Sequence, residues 1–231
     1  MNDAQRNTKY FKQNDLVKNV GAALAIVGLI WFFFGRTAAS YYGPCVMVPV
    51  GAIMFIVASA RMVAESEVRQ NLAKMLEGVG QDVMEKEELR PRILKNPQPF
   101  CAQEFYFAEH ATLFRKGKDA KLLSDAYGYT MLYFTNDALL IRGRRVMLSQ
   151  GWSEDISLRA EWQMLQGAER VPFETRVMLS NTKKTTATAR GVMLRIKDRN
   201  GAILYDAPIQ NDIAAEQLCE HITRKCVQSE R

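Results

Sequence analysis

The sequence predicts an α+β protein: two membrane-spanning helices, an amphipathic connecting helix, then an antiparallel β-barrel or sandwich closed by a C-terminal helix. Three observations lead there. No Asp, Glu, Lys or Arg occurs in the 17 residues from Asn19 to Gly35 or the 24 from Thr37 to Ala60. Apolar residues Val68, Leu72, Met75, Leu76, Val79 and Val83 then recur at helical spacing. From Phe100 the pattern changes to short runs of aromatic and β-branched residues punctuated by turn formers. These features divide the chain into an N-terminal segment at 1–15, a helical hairpin at 16–60, a stalk helix and Pro-rich linker at 61–99, and a β-domain at 100–231.

Crossing a bilayer core takes roughly 17–25 apolar residues as a helix. Both uncharged runs meet that length, and Tyr41-Tyr42-Gly43-Pro44 reads as the turn between them. Arg6, Lys9, Lys12 and Lys18 precede the first run, Arg61, Arg69 and Lys74 follow the second, and Arg36 alone lies between. Basic residues favour the cytoplasmic side, so the expected location is the cell membrane, with two spans, both termini cytoplasmic and the turn outside. Arg36-Thr-Ala-Ala-Ser resembles a signal-peptide cleavage site, but a second apolar run follows at once.

Gly21, Ala25 and Gly28 on the first helix, and Gly51, Ala52, Ala58 and Ser59 on the second, are small residues suited to close helix packing in lipid. Pro49 should kink the second helix. Trp31, Tyr41 and Tyr42 are expected at the outer interface, Tyr10 and Phe11 at the inner one. Neither span carries an ionisable residue of the kind that marks a transport pathway, so the pair reads as an anchor.

The stalk stripe can run on from the second span and pack against the β-domain; pairing with a second copy is the alternative, but the heptad series 68, 75, 82 fails at Asp82. Gly78 and Gly80 weaken this helix, and Pro91, Pro97 and Pro99 mark the linker.

Strands are expected at Glu104–Ala108, Ala111–Arg115, Gly128–Phe134, Ala138–Ile141, Val146–Ser149, Ile156–Trp162, Thr175–Ser180, Val192–Lys197 and Ala202–Tyr205, with turns at Thr135-Asn-Asp and Arg142-Gly-Arg-Arg. Val192, Leu194 and Ile196 alternate with Met193, Arg195 and Lys197, giving one buried and one wet face, and Asn200-Gly201 suits the positive φ angles of a tight hairpin. The stretch Gln163-Met-Leu-Gln-Gly-Ala reads as a loop or short helix. Asn211 or Asp212 can cap a final helix whose Ala215, Leu218, Ile222 and Cys226 share one face.

Cys219 and Cys226 read as core residues of that helix, and no Cys-x-x-Cys is present to build a zinc site. No Gly-x-Ser-x-Gly, His-Glu-x-x-His or Walker loop occurs, and His110 beside Glu109 is the one candidate base, expected to be an exposed hairpin residue. Glu154 and Asp155 are neighbours that point to opposite sides of a strand. The expectation is a protein that is not an enzyme and takes no cofactor or metal. The net charge of +6 divides evenly between 1–99 and 100–231, unlike the concentrated basic face of a nucleic-acid binder, so none is expected as partner.

Tyr133-Phe-Thr-Asn-Asp-Ala-Leu-Leu-Ile, Gly151-Trp-Ser-Glu-Asp-Ile, and Asp206-Ala-Pro-Ile followed by Asp212-Ile-Ala-Ala-Glu-Gln-Leu resemble segments of the PH-like domains of bacterial membrane proteins, which are related in form to GRAM domains. The resemblance covers about residues 100–228 and implies a small bent barrel of about seven strands plugged by the C-terminal helix, acting as a binding module for a protein segment or lipid. Candidate contacts to anionic lipid are Arg115, Lys116, Lys118 and Lys121 on one loop and Arg142, Arg144 and Arg145 on another. The expected partners are membrane lipids and a membrane or cytoplasmic protein. The alternative is a structural subunit joined to a larger membrane complex through hairpin and stalk.

Overall fold

The computed structural model describes residues 1–35, 42–81, 100–107, 111–182, 185–209 and 212–229. His110, Asp82, the turn residues 36–41 and the prolines of the linker lie outside them. The chain forms two units, a helical hairpin at Lys12–Ala64 and a mixed unit made of Met1–Phe11 with Glu65–Arg231.

In the hairpin unit, α2 spans Leu16–Phe34 and α3 Tyr42–Arg61. Both are long and apolar enough to cross a membrane. Tyr42, Gly43 and Pro44, expected in the turn, instead belong to the first turn of α3, where a proline costs no helical hydrogen bond. The helices touch through glycine. A Cβ on Gly51 would lie 2.6 Å from the amide nitrogen of Ala25 and 2.7 Å from the carbonyl oxygen of Gly21. One on Gly28 would meet Val48 at 2.9 Å, so only hydrogen fits at these crossings. At the open end Gln13 donates to the carbonyl of Val63 (2.8 Å) and accepts from its amide (2.9 Å), clasping the two chain ends of the hairpin.

The helix α3 ends at Arg61. Met62–Ala64 break the helix before α4, Glu65–Leu76, which opens with Glu65 and Glu67 at its positive end and carries Lys74 near its negative end. Val68 and Leu72 are buried, as a helix packing on its own domain requires. After α4, Gly78 and Gly80 take positive φ (80° and 78°) and fold Val79 onto Met131, Tyr133 and Leu140.

The N-terminal segment is the helix α1, Asp3–Lys12. Tyr10 and Phe11, expected at the inner membrane interface, are instead 3% and 1% exposed within the mixed unit. The Asn7 side chain donates to the carbonyl of Leu148 (3.0 Å) and accepts from Asn71 (3.0 Å), tying α1 to the sheet and to α4 through one buried polar chain.

Nine strands occur among the described residues: β1 Phe100–Phe105, β2 Phe114–Lys116, β3 Leu122–Ser124, β4 Ala126–Phe134, β5 Ala138–Met147, β6 Trp152–Glu161, β7 Leu165–Met178, β8 Thr186–Asp198 and β9 Ile203–Ile209. They form three antiparallel sheets, β1-β4-β5-β6, β2-β3 and β7-β8-β9. The ladders do not close into a barrel. Where β1 meets β9, the contact is made by side chains, with Ala102 packed on Ile209 and Ala215. The helix α5, Asp212–Gln228, lies over the resulting core, placing Leu218, Ile222 and Cys226 against Leu132, Leu139, Ile141, Leu194 and Ile196.

Four local expectations are corrected. Arg142-Gly-Arg-Arg is no turn but the middle of β5, because Glu154 and Asp155 stand opposite Arg145 and Arg144 on β6, and Gly143 lies where a Cβ would be 2.5 Å from the carbonyl of Tyr129. The stretch after Trp162 is one short 3-10 turn (Trp162–Met164) and then the 14-residue β7, whose Pro172 is tolerated because β7 is an edge strand. At the β8–β9 hairpin only Gly201 has positive φ (79°), so the loop is the three-residue kind with a bulge. Met193, expected on the wet face of β8, packs against Tyr106, Ala126 and Met147.

Candidate functional site

The basic residues fall into two groups with different fates. The first is the β2–β3 hairpin. Its base is rigid: the buried carboxylate of Asp125 accepts from the Thr112 amide (2.8 Å) and hydroxyl (2.8 Å) and from the Leu113 amide (3.0 Å), while the Ser180 amide donates to the Phe114 carbonyl (2.7 Å). Successive strand residues face opposite ways, so Arg115 points inward and Lys116 outward. Arg115 is buried; its guanidinium donates to the Tyr10 carbonyl (2.5 Å) and lies 4.8 Å from the centre of the Tyr10 ring. It holds α1 in place and has no surface to offer a lipid. Lys116, Lys118 and Lys121 are exposed around the turn, where Ala120 adopts φ 60° and the Lys121 amide donates to Asp119.

Glu65 joins this hairpin to the helices. Its carboxylate accepts from the Lys118 amide (2.9 Å), from Arg69 (2.6 Å) and from the Tyr10 hydroxyl (3.4 Å). Burial pushes the Glu65 carboxyl upward, but the hydrogen bonds from Lys118 and Arg69 outweigh it and hold the group below its ordinary value. Burial and the same carboxylate raise the Tyr10 phenol to about 12. A depressed carboxyl contributes stability that is complete above its unfolded pKa, roughly 4.3, and is lost as pH falls through the lower folded value. Between pH 6 and pH 3 the Lys118 amide should therefore lose hydrogen-exchange protection, and Glu65→Gln should flatten that change while lowering protection at pH 6.

The second group is structural. Arg144 donates to the carbonyls of Met75 (2.7 Å) and Glu77 (3.1 Å) and pairs with Asp155 (2.5 Å), capping the negative end of α4. That pairing holds the Asp155 carboxyl below its usual range. Arg142 donates to the carbonyls of Ile141 and Leu158, and Arg145 pairs with Glu154 (3.5 Å) and faces the Tyr106 ring. The two groups stand at opposite ends of α4, about 18 Å long, so they form no common patch.

One further feature escaped the sequence. A cleft of about 860 Å³ opens beside the lysine hairpin, bordered by α4, β1 and the first half of β8. Phe105, Phe107, Phe173 and Ile209 give it an apolar lining, with Arg69, Lys121 and Arg190 among its polar groups. No signal in the sequence joins residues so far apart. No group of His, Cys, Asp or Glu among the described residues could hold a metal ion. The chain matches no protein-family model, no curated protein and no solved structure.

Proposed function

We propose that this chain is a membrane-tethered, non-catalytic binding module of PH-like type, held at the cytoplasmic face by α2 and α3. The observation that carries the reading is where the tethers leave the domain. The chain passes to the helical hairpin after Phe11 and returns from it at Glu65. Within the mixed unit these two points adjoin, through Tyr10 and Glu65, and both touch the β2–β3 hairpin, through Arg115 and Lys118. The exposed Lys116, Lys118 and Lys121 thus lie on the hairpin that touches both connection points, and each such charge gains roughly 1 kcal/mol when it meets anionic lipid.

Two further features support it. Because α1 packs on the β-domain, the chain before and after the hairpin belongs on one side of a membrane, as two crossings require. Cleavage as a signal peptide would strip α1 from the domain and leave the site of Tyr10 and Phe11 open. Setting aside the small β2–β3 hairpin, seven strands and a closing helix follow in the order the resemblance to PH-like domains implies.

The test uses the full chain reconstituted in vesicles, with its cysteines replaced and a fluorophore on Lys118→Cys. Quenching by headgroup-labelled lipid should be strong in vesicles rich in phosphatidylserine. It should weaken in phosphatidylcholine, and in 1 M salt, where the Debye length is about 3 Å. The Lys116→Ser/Lys121→Ser variant should lose much of the difference between the lipids. Quenching that ignores lipid charge and salt would remove the lysines as a lipid contact.

A further inference from the structure

The cleft beside the lysine hairpin is flanked by two strand edges. Strand β1 pairs only with β4 among the described residues, leaving its other edge without a ladder. Among the described residues, β9 covers β8 only from Val192 onward, and Thr186–Gly191 of β8 pair with β7 alone. Both open edges border the same cleft, Gln103–Phe105 from one side and Thr188–Gly191 from the other. A six-residue edge is about 20 Å long and presents alternate N–H and C=O groups. We propose that this cleft binds an extended acidic peptide segment, which adds a strand along Thr186–Gly191 of β8.

The chemistry selects that occupant. An acyl chain in the cleft would cover the backbone groups of both edges without satisfying them, at a cost of a few kcal/mol for each group buried unpaired. A peptide backbone supplies the complementary donors and acceptors, and its alternating side chains can turn to Phe107, Phe173 and Ile209 on one side and to water on the other. Phe173 already lies across Gly191, where a Cβ would be 2.7 Å from its ring, and gives an apolar floor beside the open edge. Charge favours an acidic sequence. Three cations, Arg69, Lys121 and Arg190, line it against two carboxylates, Asp119 and Glu104. Lys121 forms no ion pair with the described residues, and the Arg190–Glu174 pair is largely exposed and so readily exchanged. The inference rests on the binding-module reading and names the class of partner.

The experiment pans the full chain, in phosphatidylcholine nanodiscs, against a phage-displayed library of random dodecapeptides, with empty nanodiscs subtracted. Enriched peptides should alternate apolar residues with Asp or Glu. On binding they should protect the amides of 186–191 from hydrogen exchange. The Lys121→Glu/Arg190→Glu variant should weaken them about tenfold or more, and Lys121→Gln/Arg190→Gln less. N-methylation of alternate amides in the peptide should abolish binding to the unaltered protein, a readout that no folding defect can imitate. No enrichment over empty nanodiscs would overturn the proposal, as would peptides that tolerate both the charge reversal and N-methylation. Either failure leaves the Lys118 quenching result standing, so loss of the peptide site and loss of the membrane-tethered reading are told apart.

Discussion

Ile222→Asp is expected to abolish cooperative folding of the β-domain. Ile222 is fully buried at the centre of α5, in the cluster formed by residues of β4 through β9. The substitution removes a large aliphatic side chain, which costs roughly 2–5 kcal/mol, and leaves a carboxylate with no cation in the cluster to pair with. The two effects together rival the whole stability of an ordinary domain, about 5–15 kcal/mol. Ile213→Asp on the same helix is the control. That residue is 68% exposed in the first turn of α5, where a negative charge suits the helix dipole. Urea titration followed by circular dichroism should show a clear transition for Ile213→Asp and a featureless slope in its β signal for Ile222→Asp. A parent-like midpoint for Ile222→Asp would mean that α5 does not close the core.

Gly51→Leu should separate α2 from α3. The space a side chain needs at Gly51 is occupied by the backbone of Ala25 and Gly21, which no rotamer change can move aside. Overpacking costs about 1–3 kcal/mol in a core that can adjust, and a backbone clash at a helix crossing relaxes only by parting the helices. Nitroxides on Ile26 and Val50, both exposed, would report the distance in lipid. The expected result is a longer and broader distribution for Gly51→Leu and no change for Val46→Leu, whose side chain is 62% exposed. An unchanged distance in Gly51→Leu would contradict the glycine-mediated crossing.

Features governed by near neighbours were legible in the sequence. The apolar runs, the face of α5 carrying Ala215, Leu218, Ile222 and Cys226, and the hairpin around Gly201 all follow from periodicity or one turn residue. What escaped depends on partners far along the chain. Tyr10 and Phe11 resemble interfacial anchors because they precede a span; that α1 packs instead on the β-domain depends on Asn7 reaching Leu148 and on Arg115 reaching Tyr10. Arg142-Gly-Arg-Arg has the composition of a turn, and only the opposing Glu154 and Asp155 make it a strand. Of the seven basic candidates, Lys116, Lys118 and Lys121 are exposed together on one hairpin, whereas strand alternation turned Arg115 inward and ion pairing drew Arg144 and Arg145 into structural roles. The cleft had no local signature, since β1, α4 and β8 border it from distant parts of the chain.

Cysteine accessibility in intact cells tests the membrane-tethered reading most directly. In a chain with its own four cysteines replaced, Tyr42→Cys at the start of α3 should react with a membrane-impermeant maleimide before permeabilisation. Gln5→Cys in α1 and Ser229→Cys after α5 should react only afterwards, both together, because α1 and the β-domain form one unit. Labelling of Gln5→Cys and Ser229→Cys in intact cells with Tyr42→Cys protected, or of one terminus without the other, would contradict the account.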